Sequence, residues 1–485
     1  MTLDLLAIDT FSFTPHLETT GEICINESLE GSSVGFVFVH VDNPDDEHAH
    51  PLLKQLLGER KHRKVNNLRR LLSTQAVTQI DQPRLPDSSC RDAANFAKQS
   101  VATLDDLKGL SYKGAALGRG VASSLISRTG DSEPNLRAFR DLISRYLEAS
   151  ALVFEAAYLL IRQHRPKTVL VFNGRFACTL PIVEAAKQLQ VGCLFHERGA
   201  TFERYEIFDR PVDHIVYLRQ CIRNAWDRAS TDREELGRSF FYRSRNGDGI
   251  GWTSYTGGQE RGLVPPRGAS RRLVYFSSSD DEIAACGDLM EHPLFESQRH
   301  AVRFLIDWVG RQTDVELVIR VHPHVQEKSA RERGWWDSLS GVNVRLESSA
   351  ARTDSYALAE SADAVLTYGS TMGVEASFLG KPVVLLGDST YRGFGCVYEP
   401  ETLDNLQALL ARTALPPMPL ETCIPYGYYH LTFGREYRRY QPSDLFHGLF
   451  MGADLVEEPE LLRRLRVSYA GRAVKKIIKP YLFGY

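Results

Sequence analysis

The chain has 485 residues, 43% hydrophobic and 25% charged, with a formal net charge of −3. That length exceeds what one hydrophobic core supports, so two domains are expected, with the composition of an ordinary soluble enzyme. The near-neutral charge excludes a nucleic-acid partner held by bulk electrostatics.

Taken in chain order, LDLLAID reads as a buried strand, TPHLETTGEICINESLEG as the helix after it and GFVFVHVD as the next strand. Residues 43–110 are polar and mixed and resist ordering. A helical region follows over 133–164, then the strand TVLVFNGR, the helix LPIVEAAKQLQ, the strand VGCLFHERG and a short strand HIVYL. Residues 229–271, rich in Gly, Ser, Arg and aromatics, read as the passage between domains. The second half repeats the rhythm with RRLVYFSSS, a helix near ESQRHAVRFLIDWVGRQ, then VELVIRVHPH, NVRLES, DAVLTYGS and PVVLLG. Alternating strands and helices predict an α/β fold with parallel sheets. The expected divisions are an amino-terminal domain over 1–265, a second over 266–415, and an extension over 416–485 packing back on the first.

The eight cysteines show no C-x-x-C spacing, which suits a reducing compartment. The acidic start MTLDLLAID lacks a basic region, so no signal peptide is expected, and no apolar run nears the roughly 18 residues of a membrane span. The expected location is the cytoplasm. After Glu460 the chain carries seven basic residues and no acidic one. That segment reads either as an amphipathic helix touching anionic lipid at the inner face of the membrane or as a solvated terminal helix.

The most informative stretch is AVLTYGSTMGVEASFLGKPVVLLGD, a strand, a Gly-Ser-Thr turn, a short helix and a strand. The turn with Ser370 and Thr371 opens the helix, where unpartnered N–H groups attract anions. Thr371 and Glu375, four apart, share a helix face, so one can meet a phosphate while the other reaches hydroxyls. A phosphate and a diol together describe a nucleotide. Arg320 and His322 emerge at the carboxyl edge of the strand VELVI, where α/β sheets bind ligands, and either can bond a phosphate; the structural alternative is a salt-bridging Arg beside a buried His. Ser278 and Ser279 follow LVYF and can hold a phosphate or cap a helix, with Asp280 a cap.

In the first half, Asn173 and Arg175 follow one strand, and His196, Glu197 and Arg198 end the next. Converging ionisable groups of this kind can tune a general acid or base and bind a substrate. His16 and Glu18 lie in the first strand-to-helix turn. A structural pairing of Glu197 with Arg198 or Arg175 is the competing reading. No His/Asp/Glu set has metal-ligand spacing and H-E-x-x-H is absent, so neither metal nor cofactor is expected.

The order PHLET, NGR, HERG, SSxDE, RxHP and GSTxGxEAxxLGKPV resembles that of bacterial capsule and surface-polysaccharide biosynthesis proteins. The resemblance implies the GT-B architecture, two Rossmann-like domains facing across a cleft, and a glycosyltransferase that needs no metal. It implies that His322 and the Ser370–Thr371 turn meet the donor phosphate and that Glu375 bonds the ribose. The RxHP and Ser-Thr pattern is similar to transferases of CMP-linked ulosonic acids, the Kdo transferases of lipopolysaccharide and capsule among them. The partners so implied are a nucleotide-sugar donor, as substrate, and a glycan or glycolipid acceptor. The acceptor falls to the first domain, with Glu197 ranked first as acid/base and His16 and Glu18 after it. The alternatives are a nucleotide-sugar epimerase of the UDP-GlcNAc 2-epimerase type, a CDP-alcohol phosphotransferase and a non-catalytic assembly partner.

Overall fold

A computed structural model describes residues 2–46, 51–229, 231–248, 255–279, 281, 284, 294–445 and 447–456, with side chains described outside 46 and 51–60. Asp280 and the basic segment after Glu460 lie outside the described residues. Two compact units divide the chain. The first gathers the described residues of Met1–Arg128, Glu133–Val212 and Gly434–Tyr485, the second those of Thr129–Ser132 and Asp213–Phe433.

In the first unit, strands β1 (Leu5–Asp9), β2 (Val34–Phe38), β3 (Thr78–Gln79), β4 (Thr168–Phe172) and β5 (Gly192–Arg198) are joined by β6 (Arg204–Phe208). Their order is β6-β5-β4-β1-β2-β3, with β12 (Arg435–Glu436) beyond β6. All pairs from β5 to β3 are parallel; β5–β6 and β6–β12 are antiparallel. In the second unit, β7 (Arg271–Phe276), β8 (Val315–Arg320), β9 (Val344–Glu347), β10 (Ala364–Thr367) and β11 (Val383–Leu385) form an all-parallel sheet ordered β11-β10-β7-β8-β9. Both units share one strand order, 5-4-1-2-3 in local numbering. It is the Rossmann order, which reverses beside the first strand. A hairpin, β13 (Tyr440–Asp444) with β14 (His447–Phe450), completes the first unit.

The second sheet shows why continuous apolar runs make such strands. Val274, Phe276, Val318 and Val365 enter one core with Phe240, Leu358, Val374 and Tyr426. Their neighbours Leu273, Tyr275, Leu317, Ile319 and Leu366 enter the opposite core with Val302, Leu305 and Trp336. With a side-chain period of two, a strand covered on both faces is apolar at every position. Each such side chain contributes about 1.5–3 kcal/mol of burial.

Three expectations are corrected. HIVYL opens the helix Ile215–Arg228 rather than a strand, because its apolar residues continue at helical spacing through Ile222, which is buried. The supposed passage 229–271 contains the helix Arg233–Asn246, and its Phe240 and Phe241 are core residues of the second unit. The units therefore divide at 212/213 rather than 265/266, and 416–433 belongs to the second unit; of the extension only the described part of 434–485 packs on the first. Among the described residues no helix is long and apolar enough to cross a membrane.

Candidate functional site

The strand order of the second unit reverses between β7 and β10, so chain ends diverge there and leave a crevice at their carboxyl ends. Ser277 follows β7, accepting the His322 N–H on its Oγ at 2.8 Å and donating its own N–H to Arg320 O at 3.1 Å. The turn after β10 is built on Thr367, whose Oγ1 donates to Phe276 O at 3.1 Å and accepts the N–H groups of Gly369 (3.2 Å) and Ser370 (2.9 Å). Ser370 Oγ accepts the Met372 N–H at 3.3 Å. Only glycine fits at 369 and 373, where a Cβ would come within 2.4 Å of Asp388 O and of the Tyr391 hydroxyl respectively.

This geometry changes the expected anion site. The N–H groups of Gly369, Ser370 and Met372 are committed inside the turn, and the helix Met372–Phe378 has only 7 residues. The hydrogen-bonding side chains on the pocket wall at this edge include Ser277, His322, Ser370 and Thr371. His322 is the best defined. Its Nδ1 accepts the His324 N–H at 3.2 Å, which leaves the proton of a neutral ring on Nε2. Burial, aided by His324, Lys328 and Arg320, pushes its pKa down to about 4, so the ring is neutral near pH 7. The Tyr255 ring meets it edge-on, with centroids 4.8 Å apart.

Farther along the same pocket, Glu375 accepts a hydrogen bond from the Tyr356 hydroxyl on its Oε2. Burial pushes its carboxyl up to about 7, opposed by bonds from Tyr356 and Thr371. The folded state thus keeps a proton there between the ordinary 4.5 and about 7. Its stability contribution is whole below pH 4.5 and is lost as pH rises to about 7. For a ligand diol bound at Glu375 the dependence would run the other way, because its hydroxyls would donate to the ionised form. Nucleotide affinity is expected to rise with pH through about 7 and level off above it, and Glu375→Gln to abolish that dependence; a flat wild-type titration would remove Glu375 from the diol role.

Part of the remaining wall comes from two helices, Arg233–Asn246 and Ile424–Thr432, the second with its C-cap Phe433. They approach closely at paired glycines: a Cβ on Gly237 would lie 2.6 Å from Ile424 O, and one on Gly427 2.3 Å from Gly237 O. Phe240, Tyr426, His430 and Phe433 line the pocket from this pair. Sequence reading missed them, although Tyr426 and His430, four apart, with Phe433 at the next turn, mark one helix face.

Arg320 lines the same pocket, but most of its guanidinium is engaged within the protein. It is 2% exposed, and its guanidinium donates to the carbonyls of Ser348 (2.6 Å) and Ala351 (3.1 Å). Those two bonds hold the loop after β9, while Nε has no partner among the described residues. Ser279 is likewise engaged, donating to Asp281 Oδ1 at 2.8 Å. Ser278 is buried against Gln298, which accepts its N–H at 2.7 Å; the serine facing the pocket is its neighbour Ser277.

In the first unit, Asn173 follows β4 in the left-handed region (φ +56), which Asn tolerates better than most residues. Its Nδ2 donates to Glu197 Oε2 at 3.0 Å, and the Arg198 N–H donates to Oε1 at 3.0 Å. His16 Nδ1 is 3.8 Å from Oε1. Burial, then Arg198, His196 and Lys64, holds His16 well below its ordinary pKa, so this is no ion pair near neutral pH. Asn173, Glu197, Arg198 and His16 are thus brought together. Arg175 turns to Ser123 Oγ (2.8 Å) and over the Phe176 ring (4.3 Å), while Arg198 Nη2 donates to Leu445 O at 3.1 Å.

Two candidates there are corrected. His196 is fully buried, paired with Thr20 Oγ1 at 3.0 Å and pushed down to about 3 by burial, which makes it a core histidine. Glu18 is locked to Lys64 at 2.8 Å, both side chains 4% exposed, and also accepts from Thr14 at 3.0 Å. That is a structural ion pair. Among the described residues no group of His, Cys, Asp and Glu is arranged to hold a metal ion.

Fold and site define an α/β chain of two Rossmann-like units, the pattern of GT-B proteins, with a ligand pocket at the switch point of the second. Residues 287–415 match the family model of capsule polysaccharide biosynthesis proteins, a span holding β8 to β11 and with them His322, Ser370, Thr371 and Glu375. No curated protein sequence matches the chain. Among solved structures, the chain is similar to the beta Kdo 2,4 transferase KpsC of Thermosulfurimonas dismutans at 15% identity and a TM-score of 0.37, covering 54% of this chain and 79% of that one. It is similar to the S. aureus MnaA–UDP co-structure at 12% identity and TM-score 0.28, covering 88% and 92%. It is also similar to the glycosyltransferase SnogD of Streptomyces nogalater at 14% identity and TM-score 0.23, covering 89% and 95%.

Proposed function

We propose that the chain is a glycosyltransferase of surface-polysaccharide synthesis that takes a sugar from a nucleotide-activated donor, a CMP-linked ulosonic acid foremost, to a glycan or glycolipid acceptor. One observation carries this reading. A single pocket in the second unit joins a neutral His322 and several hydroxyls at the sheet edge to a buried carboxylate, Glu375. The first set suits a phosphate and the second a ribose diol.

In the proposed step an acceptor hydroxyl attacks the anomeric carbon and passes its proton to a base, for which Glu197 is the candidate. The bond from that carbon to the nucleotide phosphate oxygen breaks, and its electron pair leaves with the phosphate. The His322 Nε2–H, with the pocket hydroxyls, stabilises the charge that develops there, the role a metal plays elsewhere.

A thermal-shift screen of the full chain with CMP, CDP, UDP and GDP, with and without EDTA, tests the proposal. One nucleotide at a hundredfold excess over its Kd should add about 2.7 kcal/mol of stability, EDTA present or not. No shift with any of them would overturn the reading. Conversion of UDP-GlcNAc without acceptor would replace the transferase by an epimerase.

A further inference from the structure

The helix pair Arg233–Asn246 and Ile424–Thr432 carries a polar atom with no protein partner. His430 lines the same pocket as His322 and Glu375, yet its Nε2 is buried and meets no hydrogen-bonding group among the described residues. Buried polar atoms of folded proteins nearly always have a partner, so an orphan beside a pocket calls for one from outside the chain. The surroundings say what kind. The His430 ring lies 4.2 Å from the Tyr426 ring, 6.0 Å from Phe240 and 6.1 Å from Phe433, centroid to centroid. Burial pushes its pKa down to about 4, so near neutral pH the ring presents neutral nitrogens, one a donor and one an acceptor. The wall is aromatic, with hydrogen-bonding groups on the His430 ring, the Tyr426 hydroxyl and Ser244. Stacked rings with a few polar groups suit a flat heterocycle with polar edges, and none of these side chains carries a positive charge for a phosphate.

Resting on the nucleotide reading above, we infer that His430 reads the edge of the donor's nucleobase, with Phe240, Tyr426 and Phe433 forming the slot that holds its plane. The phosphate and ribose ends of the pocket are already supplied by His322 and Glu375, so the base is the part of the ligand left for this wall. The residue lies outside the span 287–415 that matches the family model. Base preference is therefore set by a part of the chain separate from the phosphate and ribose contacts.

The test is calorimetric titration of the full chain with CMP, UMP, AMP and GMP. The wild type is expected to prefer one base. His430→Phe, which keeps a ring but no nitrogen, should weaken the preferred nucleotide about tenfold and flatten the preference, and Phe433→Leu should weaken it through the slot if His430→Phe does not fold. His322→Ala should weaken all four by one factor and leave their ranking intact. A wild type without preference, or a ranking unchanged in His430→Phe and Phe433→Leu, overturns the inference while His322→Ala still supports nucleotide binding. Failure of the wild type to bind any of the four would instead remove the nucleotide reading and this inference together.

Discussion

Alanine in place of His322 is expected to slow transfer by about 10²–10³, on the order of 3 kcal/mol, the cost of removing one preorganised donor from developing charge. The expectation follows from the tautomer. Nδ1 is occupied by the His324 N–H, so the ring's one proton is on Nε2, and the ring lines the pocket. Because burial holds the pKa at about 4, this donor stays neutral through ordinary assay pH, and its contribution should not titrate near 6.5. His322→Gln keeps an N–H donor and should recover part of the rate. The fold should survive, since the substitution removes one hydrogen bond of about 1 kcal/mol. Turnover with the donor found by the nucleotide screen, beside nucleotide affinity, checks this. Unchanged values for both in His322→Ala would take His322 out of the site.

Glu18→Ala is expected to destabilise the first unit by about 3–5 kcal/mol, because it removes the one carboxylate paired directly with the buried Lys64 ammonium, with Asp454 and Asp9 acting on it only at longer range. Lys64 keeps two partners, Ser12 O and Thr14 Oγ1, both at 2.7 Å, but neither carries charge. Glu18→Leu combined with Lys64→Met should regain most of the loss, since an apolar pair avoids desolvating two ions. Thermal and denaturant unfolding measure both variants. A Glu18→Ala protein of wild-type stability but without transfer activity would return Glu18 to the catalytic candidates.

These two residues show how far the chain could be read. His322 was legible because a strand end in an α/β sheet fixes where its side chain emerges, and the RxHP pattern marks that end. Its neighbour Arg320 looked equivalent two residues earlier. The difference is that β9 and its following loop bring the carbonyls of Ser348 and Ala351 onto the guanidinium, contacts 28 and 31 residues away. Glu18 was misread for the same reason: its partner lies 46 residues on, within a stretch whose polar composition gave no order.

Local pattern, by itself, determined β1, β2, β4, β5 and β7 to β11 and most crossover helices, but not β3, β6 or β12 to β14. Period-two burial and continuous Val, Leu and Ile runs act within a few residues, and strands alternating with helices leave parallel sheets as the economical solution. It also marked Glu375 and the Ser370–Thr371 turn as candidates, and both line the pocket. Tertiary structure alone decided which polar groups are already satisfied, since a hydrogen bond is made or lost on distances of tenths of an ångström between remote segments. It likewise decided the second wall of the pocket. Gly237 and Gly427 let two helices from either end of the second unit touch, and only that contact sets Phe240, Tyr426 and His430 facing the residues of the sheet edge.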